Sequence, residues 1–350
     1  MKRSNPSTIR DCTVAVTGGA GFLGSHLVKH LIEDRGCKVI VIDNLCAGRM
    51  DFIHPEATFV HHDISSSEEF LHNLFIKHEV RFVFNYAAWP YVPDSYARPM
   101  QVFNTNAVGA IKVINAAQEA GCEAILQVSS AELYGRGWIV ETTTPENKEC
   151  RTYGVGSIDE EAPVAPHSTY GAAKAAADYY CQCAWKERKT PVISLRQFNS
   201  VGESDILHPY VIPAIIGQLM EGKRDGMYYR VDLGNNSERD FLYAGDAVRM
   251  AVELLEKGSF GEVYNSGSEQ SVKMYDLATM IGQLMKRDCV VRHDKTRDRA
   301  WEIWSLRSCN DKLFSVIDYR PNVPLEVALA RTIGSLGVLA SVGIWNPKGQ

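Results

Sequence analysis

A glycine-rich turn, Thr17-Gly18-Gly19-Ala20-Gly21-Phe22-Leu23-Gly24, separates the apolar run of residues 12–16 from a helical pattern over residues 25–33. This is the order of a strand, a tight turn and a helix. Glycines at three of these positions allow a sharp turn, bring backbone N–H groups close to a pyrophosphate and let the helix pack on the strand. The stretch predicts a dinucleotide-binding turn at Gly18, Gly21, Phe22, Leu23 and Gly24.

A carboxylate ends the second apolar run, at the distance of about 20 residues that such a site requires. Asp43 follows residues 38–42, where it can accept hydrogen bonds from ribose hydroxyls and repel a 2′-phosphate. The sequence therefore predicts NAD in preference to NADP. Arg49 is a nearby cation that would weaken this preference if it faced the ribose, and a solvent-facing position in the loop is its other interpretation.

Composition limits the class of protein. A chain of 350 residues with 45% apolar residues can bury a sizeable core. Its net charge of -5 disfavours nucleic acid or an anionic membrane as the main partner. The nine cysteines are scattered without a paired CxxC framework, which predicts reduced thiols and no metal site.

Targeting signals are not evident in the sequence. Residues 1–11 have no apolar signal core, and the apolar stretch 333–345 is too short and too interrupted by glycine to span a bilayer. A cytoplasmic location without a membrane partner is expected.

Strand and helix patterns alternate along the first half of the chain. Further strands are predicted near residues 80–84, 124–128 and 191–196, and helices over 68–77, 104–119 and 168–186. The alternation predicts an α/β fold with a Rossmann-type, doubly wound parallel sheet and sites at the carboxyl ends of its strands. Residues at such ends are expected to contact the cofactor: Asp63 and Ile64 on the adenine side, and Ala87 and Ala88 where small side chains permit close approach.

The remaining segments suggest the domain organisation. Residues 135–161 are predicted to form a long loop, because the periodic pattern stops there. We expect residues 1–200 to form the NAD-binding Rossmann domain. Residues 201–345 are expected to form a smaller substrate-binding domain, partly interleaved with the first.

Tyr170 and Lys174 are spaced so that they share one face of a helix. A nearby ammonium favours the phenolate form, so Lys174 is expected to lower the pKa of Tyr170 and prepare it to act as a base. Ser130 ends a neighbouring strand, from which it could bond the same substrate hydroxyl. An ordinary surface pair is the other interpretation of this spacing.

Together these motifs resemble the extended short-chain dehydrogenases/reductases, in particular their NAD-dependent nucleotide-sugar epimerases and dehydratases. The resemblance covers nearly the whole chain. The motifs that carry it are the glycine-rich turn, Asp43-Asn44-Leu45, Ser129-Ser130-Ala131-Glu132-Leu133-Tyr134-Gly135, Tyr170-Gly171-Ala172-Ala173-Lys174 and Arg239-Asp240-Phe241.

The resemblance assigns roles to individual positions. It implies Ser130, Tyr170 and Lys174 as the catalytic triad, with Asn44 and Asn106 at the cofactor and Asn106 supporting the proton relay. Asn199, Arg239 and Arg297 match residues near the diphosphate of a nucleotide-diphosphate sugar. It also implies a homodimer whose interface helices begin near Asn106 and Ser168, with outer positions at Ala175, Ala176 and Tyr179; packing of these positions inside the monomer is the other interpretation.

The residues after Ser130 bear on the reaction. Sugar 4,6-dehydratases carry an acidic or hydroxyl residue followed by Glu, whereas this chain has Ala131 and then Glu132. Glu132 therefore suggests a base at C5, and Ala131 leaves no evident acid for the departing C6 hydroxyl. A further departure is Asn85, where a histidine is common.

Three reactions share the first step, in which Tyr170 takes the C4 hydroxyl proton as hydride passes to NAD. Glu132 favours 4,6-dehydration. Decarboxylation of a uronic acid needs no acid at position 131, but its usual Tyr-Asp-Glu-Gly-Lys motif is not found here. A 4-epimerase remains an alternative if Glu132 only caps a loop, and a dinucleotide-binding regulator without turnover is an alternative outside enzymes.

Overall fold

The computed structural model describes residues 8–135, 139–143, 149–153, 156–205, 210–299, 301–341, 343 and 345. In chain order its strands are β1 (Thr13–Thr17), β2 (Lys38–Asp43), β3 (Thr58–His61), β4 (Phe82–Asn85), β5 (Ala124–Ser130), β6 (Ile139–Thr143), β7 (Glu149–Tyr153), β8 (Val192–Gln197), β9 (Asn199–Val201), β10 (Arg224–Asp225), β11 (Tyr228–Leu233), β12 (Glu238–Tyr243), β13 (Val263–Ser266), β14 (Ser271–Lys273), β15 (Cys289–His293) and β16 (Ser305–Leu306).

The helices are α1 (Phe22–Glu33), α2 (Glu68–Lys77), α3 (Asp94–Ala97), α4 (Pro99–Phe103), α5 (Ala110–Glu119), α6 (Thr169–Arg188), α7 (Val211–Glu221), α8 (Ala244–Lys257), α9 (Met274–Leu284), α10 (Asp311–Phe314) and α11 (Leu325–Ser341). A π-helical turn, Asn104–Gly109, joins α4 to α5. Short 3-10 turns lie at Met50–Phe52, Ala131–Tyr134 and Lys295–Arg297.

Seven strands of the described chain form one parallel sheet in the order β13-β8-β5-β4-β1-β2-β3. The strands are apolar along their length, as a sheet covered on both faces requires. The order reverses between β1 and β4, so the connections that leave these strands diverge and open a crevice at their carboxyl ends. The predicted α/β Rossmann-type fold is confirmed.

Helices cover both faces of this sheet. On one face α1 and α8 pack together, and Leu27, Val28 and Leu31 of α1 are fully buried there. On the other face α2, α5 and α6 contribute Leu71, Ile114 and Cys181 to a second core. Each helix thus places its apolar stripe on the sheet, which fixes where the strand ends lie.

The second half of the chain forms a further apolar core between α7, α9, α11 and the strands β11 and β15. It also returns to the first half: β13 completes one edge of the parallel sheet beside β8, and β9 pairs with β12. Elements from both halves therefore meet above the carboxyl ends of the sheet.

One segment differs from the sequence expectation. The predicted loop 135–161 includes an antiparallel pair of strands, β6 and β7, so the loop assignment is wrong for those residues. The apolar stretch near residue 333 belongs to α11, which begins eight residues earlier than the stretch does because buried Ala328 and Leu329 extend its inner face. In the described residues no helix has the length and apolar character needed to cross a membrane.

Candidate active site

A cavity of about 900 Å³ lies at the carboxyl ends of β1, β2, β4 and β5 and is closed by the second half of the chain. All the predicted site residues except Asn106 line it: Gly18, Gly21, Phe22, Leu23, Gly24, Asp43, Asn44, Asp63, Ile64, Ala87, Ala88, Ser130, Glu132, Tyr170, Lys174, Asn199, Arg239 and Arg297. The structure thus brings these residues, which span 280 positions of the chain from Gly18 to Arg297, around one space.

The glycine-rich turn is closely packed. Gly18 has φ of +70°, and a Cβ at this position would lie 2.7 Å from the backbone nitrogen of Ala87. A Cβ on Gly24 would collide with the carbonyl oxygen of Gly18. Gly18 therefore needs its conformation and both glycines need their missing side chains, so the turn presents bare backbone to the cavity.

Asp43 is held by the same turn. Its carboxylate accepts hydrogen bonds from the backbone N–H of Ala20 at 3.1 Å and of Leu45 at 2.8 Å. Burial raises the pKa of this carboxyl group. Arg49 is bonded to Asp51 at 2.9 Å, in keeping with the interpretation that places its guanidinium in the loop.

The neighbouring loop orders the predicted adenine side of the cavity. Asn44 donates a 2.9 Å hydrogen bond to Asp63, and Asp63 also accepts from the backbone and the hydroxyl of Ser65. These contacts fix the ends of β2 and β3 next to each other, with Ile64 buried behind them.

A row of fully buried polar side chains crosses the strands beneath the cavity. The Thr17 hydroxyl donates to Asn85 Oδ1, Asn85 Nδ2 donates to Gln127 Oε1 at 2.6 Å, and Gln127 Nε2 donates to the Val128 carbonyl at 2.9 Å. The Thr17 oxygen in turn accepts from the backbone of Ala87 at 3.2 Å. Asn85, which departs from the family pattern, is therefore part of the scaffold beneath the site.

Asn106 lies in the π-helical turn and is buried. Its side chain makes two hydrogen bonds with the backbone of Trp89, accepting at 2.6 Å and donating at 3.0 Å. It is absent from the cavity lining of the described chain. Asn106 thus anchors the loop that follows β4, and a direct cofactor contact for it stays a prediction.

Ser130, Tyr170 and Lys174 converge at the end of β5. Ser168 caps α6 by accepting from the backbone of Gly171 at 3.0 Å, which sets Tyr170 in the first helical turn. Gly171 packs so closely on the Glu132 carbonyl that a Cβ would lie 2.9 Å from it. The start of α6 is thereby held against the turn that carries Glu132.

Burial has the largest effect on the pKa values of Tyr170 and Lys174. Burial raises the pKa of Tyr170 to about 12, although its interaction with Ser130 acts in the opposite direction. Lys174 donates a 2.9 Å hydrogen bond to the Val128 carbonyl and lies 6.0 Å from the Tyr170 ring centre. Burial lowers the pKa of Lys174 to about 8. Desolvation thus dominates the pKa of Tyr170 in this arrangement, and the expected lowering of that pKa by Lys174 stays a prediction.

Glu132 projects into the cavity from the 3-10 turn after β5. Its backbone N–H donates to Ser130 Oγ at 3.2 Å, and its negative charge contributes to the raised pKa of Tyr170. Arg299 Nη1 lies 4.0 Å from Glu132 Oε1. A carboxylate and a phenol thus share the space in which a sugar ring would lie.

The predicted substrate residues come from β9, β12 and the 3-10 turn after β15. Arg239 is buried and bonded to Glu302 at 2.9 Å and to the Ile303 carbonyl at 2.6 Å. Arg297 is 48% exposed and contacts Asp294 at 3.2 Å. Asn199 is exposed on β9. Both arginines are therefore paired within the protein, Arg239 in a buried pair and Arg297 in a more exposed one.

The lining residues that were not identified from the sequence include Tyr91, Asp205, Tyr210 and Arg299. Tyr91 and Tyr210 form an edge-to-face pair with ring centres 5.7 Å apart. None of the four belongs to a periodic pattern. Arg299 could have been considered beside Arg297, since the two are adjacent cations in one polar segment.

Outside the cavity, Glu269, Cys309 and Asp311 place potential ligand atoms within 4.8 Å of one another. Exposed acidic groups adopt such arrangements without a metal, so the prediction of no metal site stays a prediction.

Comparisons with known proteins point to one protein family. The family model described as the NAD dependent epimerase/dehydratase family matches residues 14–267, a range that includes every motif from the glycine-rich turn to Arg239. The mouse (Mus musculus) dTDP-D-glucose 4,6-dehydratase is 30% identical over 352 residues, 95% of this chain and 90% of the relative.

Two further relatives are named for other reactions. The UDP-N-acetyl-alpha-D-glucosaminuronate decarboxylase of Bacillus cytotoxicus is 29% identical over 328 residues, 91% of this chain and 95% of the relative. The solved structure of epimerase Mth375 from Methanothermobacter thermautotrophicus matches with a TM-score of 0.80 at 26% identity, covering 95% of this chain and 94% of that chain. Since the similarities are nearly equal, they do not select one reaction.

Proposed function

Because this chain belongs to the NAD-dependent epimerase/dehydratase family, we propose that it removes water from a nucleotide-diphosphate sugar by 4,6-dehydration, with Glu132 as the base at C5. The resemblance found in the sequence and the NAD cofactor are confirmed by this membership. The chain is accordingly an NAD-dependent enzyme that modifies nucleotide sugars, and the alternative of a regulator without turnover is not retained.

The glycine-rich turn fits NAD. Backbone at Gly18 and Gly21 lines the cavity where added side chains would be excluded or crowded, which leaves room for a pyrophosphate. Asp43, fixed by two backbone N–H groups, would accept hydrogen bonds from the ribose hydroxyls. NAD, when bound, takes a hydride from C4 of the sugar, later returns it, and brings the positive charge of its nicotinamide to the site.

Tyr170 would accept the proton of the C4 hydroxyl. Burial raises its pKa to about 12, further above neutral pH than that of a free phenol, so positive charge near the phenol would favour its action as a base. Ser130 would bond the same hydroxyl and orient it. Lys174, held by the Val128 carbonyl, would stabilise the phenolate from below.

The position of Glu132 carries the proposal for dehydration. Oxidation at C4 acidifies the C5 proton, and a carboxylate in the same cavity as Tyr170 can remove it. An enzyme that only inverts C4 needs no base at C5. Arg299, at 4.0 Å, would orient the Glu132 carboxylate.

The diphosphate is assigned to the part of the cavity that Asn199, Arg239 and Arg297 line. Arg297 and Asn199 line the cavity there, and the exposed guanidinium of Arg297 can make a bidentate contact with phosphate. Arg239 would add a second cation. In this arrangement the sugar points towards Tyr170 and Glu132.

The 4-epimerase and the decarboxylase remain the alternatives. The Arg299–Glu132 contact favours the first if Glu132 serves only as an ion-pair partner. Incubation of the purified protein with a panel of nucleotide sugars, followed by measurement of the product masses, distinguishes the three reactions. Loss of the mass of water supports the proposal; loss of carbon dioxide, or an unchanged mass with an inverted C4, refutes it.

We also infer that the enzyme is a homodimer. Apolar side chains remain exposed on helices that pack on one another, with Met100 of α4 67% exposed and Tyr179 of α6 51% exposed. The predicted outer position of Ala175 is wrong, because this residue is buried in the monomer beside Leu133 and Ile158. Ala176 is half-buried, so Tyr179 is the principal candidate of the three for the interface.

A further inference from the structure

Asp205 is an acidic side chain inside the cavity that the mechanism above does not use. It follows β9 and lines the same space as Glu132 and Tyr170. Only 4% of the residue is exposed, and no side chain or backbone group of the described chain forms a hydrogen bond or an ion pair with it. An isolated buried carboxyl group costs stability, which suggests that its partner is a ligand.

The surroundings of Asp205 place it on the sugar side of the cavity. Tyr210 lies within electrostatic reach of Asp205, of Tyr170 and of Tyr91. Tyr210 is thus a neighbour that Asp205 shares with Tyr170, the group that acts on the C4 hydroxyl. The diphosphate cations Arg239 and Arg297 show no resolved interaction with it.

Dehydration requires two proton-transfer groups. The base removes the C5 proton, and an acid must protonate the C6 hydroxyl, because hydroxide is a poor leaving group. The family position for this acid is occupied by Ala131, whose methyl group has no proton to give. The chain therefore needs an acid from another element.

We propose that Asp205 supplies this acid and protonates the departing C6 hydroxyl, an inference that rests on the proposed 4,6-dehydration. In the elimination, Glu132 accepts the C5 proton and the C5–H electron pair becomes the C5=C6 bond. The C6–O bond breaks, and its electron pair leaves with the oxygen, which takes the Asp205 proton and departs as water. Glu132 ends protonated and Asp205 ionised, so charge and protons balance.

The chemistry of Asp205 suits this role better than that of its neighbours. Burial raises its pKa to about 7, so near neutral pH a large share of the group carries a proton and can give it up. The pKa of Tyr210 is raised further above the usual range of a phenol, which makes it a weaker acid. Ser130 is weaker still.

Other titratable groups face the same space and must be separated in a pH experiment. They include Tyr210 before α7, Tyr170 and Lys174 on α6, Tyr91 after β4, Glu132 after β5, and Arg297 and Arg299 after β15. Asp94 does not line the cavity but acts on Tyr210 electrostatically. With Asp205 as the acid, the dehydration rate falls as pH rises through about 7, because the ionised form has no proton to donate.

The test compares Asp205→Asn with the parent enzyme, on the parent's nucleotide sugar and on its 6-deoxy-6-fluoro analogue. Fluoride leaves without protonation, so the variant should lose about 10²–10⁴-fold in rate on the natural sugar but little on the analogue. Formation of the reduced cofactor should persist, and the alkaline decline near pH 7 should disappear. Glu203→Gln, two residues earlier and facing Tyr243 instead of this cavity, is the matched control.

The outcomes separate the two proposals. If Asp205→Asn dehydrates the natural sugar at the parental rate, or if it is equally slow with the fluoro analogue, the acid role is refuted. Loss of reduced-cofactor formation in the variant also refutes it, since the defect then precedes elimination. If the parent enzyme itself releases no water from any sugar of the panel, the proposed dehydration fails, and the acid role with it.

Discussion

Arg239 and Glu302 form a buried ion pair, with Nη2 and Oε1 2.9 Å apart and side-chain exposures of 8% and 9%. The same guanidinium also donates to the carbonyl oxygens of Ile303 and Glu238. Arg239 is thus oriented towards the cavity before any diphosphate arrives, and its charge is partly neutralised by Glu302. In the proposed arrangement, a diphosphate would share this cation with the carboxylate.

Glu302→Gln should make the thermal stability of the enzyme more dependent on a bound nucleotide than that of the parent. Removing the carboxylate leaves a buried cation unpaired, which typically costs about 3–5 kcal/mol. A nucleoside diphosphate that contacts Arg239 would offset part of that cost, so its thermal stabilisation of the variant should exceed that of the parent. Equal shifts in both chains would mean that Arg239 does not contact the diphosphate. Glu262→Gln, which breaks the exposed pair with Lys312, is the control.

Glu132→Gln should stop the reaction after C4 oxidation. Ser130, Tyr170 and Lys174 are unchanged, so reduced nicotinamide should accumulate on the enzyme, visible by its near-ultraviolet absorbance. Loss of a positioned base typically costs about 10²–10⁴-fold in rate. Tyr170→Phe, in contrast, should yield no reduced cofactor. Parental turnover by Glu132→Gln, without solvent deuterium at C5 of the product, would favour the 4-epimerase.

Gly18→Ala should remove bound NAD and destabilise the chain. The positive φ and the 2.7 Å approach of an added Cβ to Ala87 together should cost at least about 2 kcal/mol. Gly334→Ala is the matched control, because no atom lies within 4 Å of its added Cβ in α11; it should raise stability by up to about 1 kcal/mol. Chemical unfolding and the NAD released on denaturation measure both effects. Retention of NAD by Gly18→Ala would argue against the turn as the pyrophosphate site.

Lys174→Met should alter the pH dependence of stability. The folded-state pKa of Lys174 is about 8, below the unfolded value of about 10.4. Below pH 8 both states are protonated and the folded chain bears the full cost of a buried ammonium; between pH 8 and 10.4 the folded state has lost the proton, so this cost declines. The stability of the variant relative to the parent should therefore fall by about 2–3 kcal/mol from pH 7 to pH 10.

Chemical unfolding at the two pH values tests this expectation. Lys312→Met, at an exposed position, should show no comparable change. A pH-independent difference between Lys174→Met and the parent would show that the ammonium is not desolvated.

Tyr179→Glu should shift the enzyme to monomers. A carboxylate at the centre of an apolar interface would be buried without a partner. Tyr228→Glu changes a similarly exposed tyrosine on β11 and should leave the dimer intact. Sedimentation at micromolar concentration distinguishes the species. A parent enzyme that sediments as a monomer would remove the basis of the proposed interface.

Local sequence patterns predicted the parts of the site that depend on single elements. The glycine-rich turn, Asp43 and Ser130 lie at strand ends, and the helical spacing of Tyr170 and Lys174 survives folding unchanged. Parallel strands bring their carboxyl ends to one edge, so these residues had to meet.

The remaining features depend on packing between distant segments. Asp205 is a single acid in a segment without periodicity, and only the closure of the second half over the sheet brings it into the cavity that Tyr170 lines. The pairing of Arg239 with Glu302 joins residues 63 positions apart. The pKa of Tyr170 depended on the degree of burial, which residue spacing does not reveal.

The polar row of Thr17, Asn85 and Gln127 also bears on how the chain assembles. All three side chains are fully buried. If β4 slipped by one residue, Asn85 would turn to the other face of the sheet, and Thr17 and Gln127 would lose their hydrogen-bond partner. Each orphaned group would cost about 1–3 kcal/mol. The row therefore raises the free energy of misaligned strand pairings during folding. The apolar residues alone would tolerate such pairings. The Val128 carbonyl accepts hydrogen bonds from both Gln127 and Lys174, so the same strand alignment also positions Lys174.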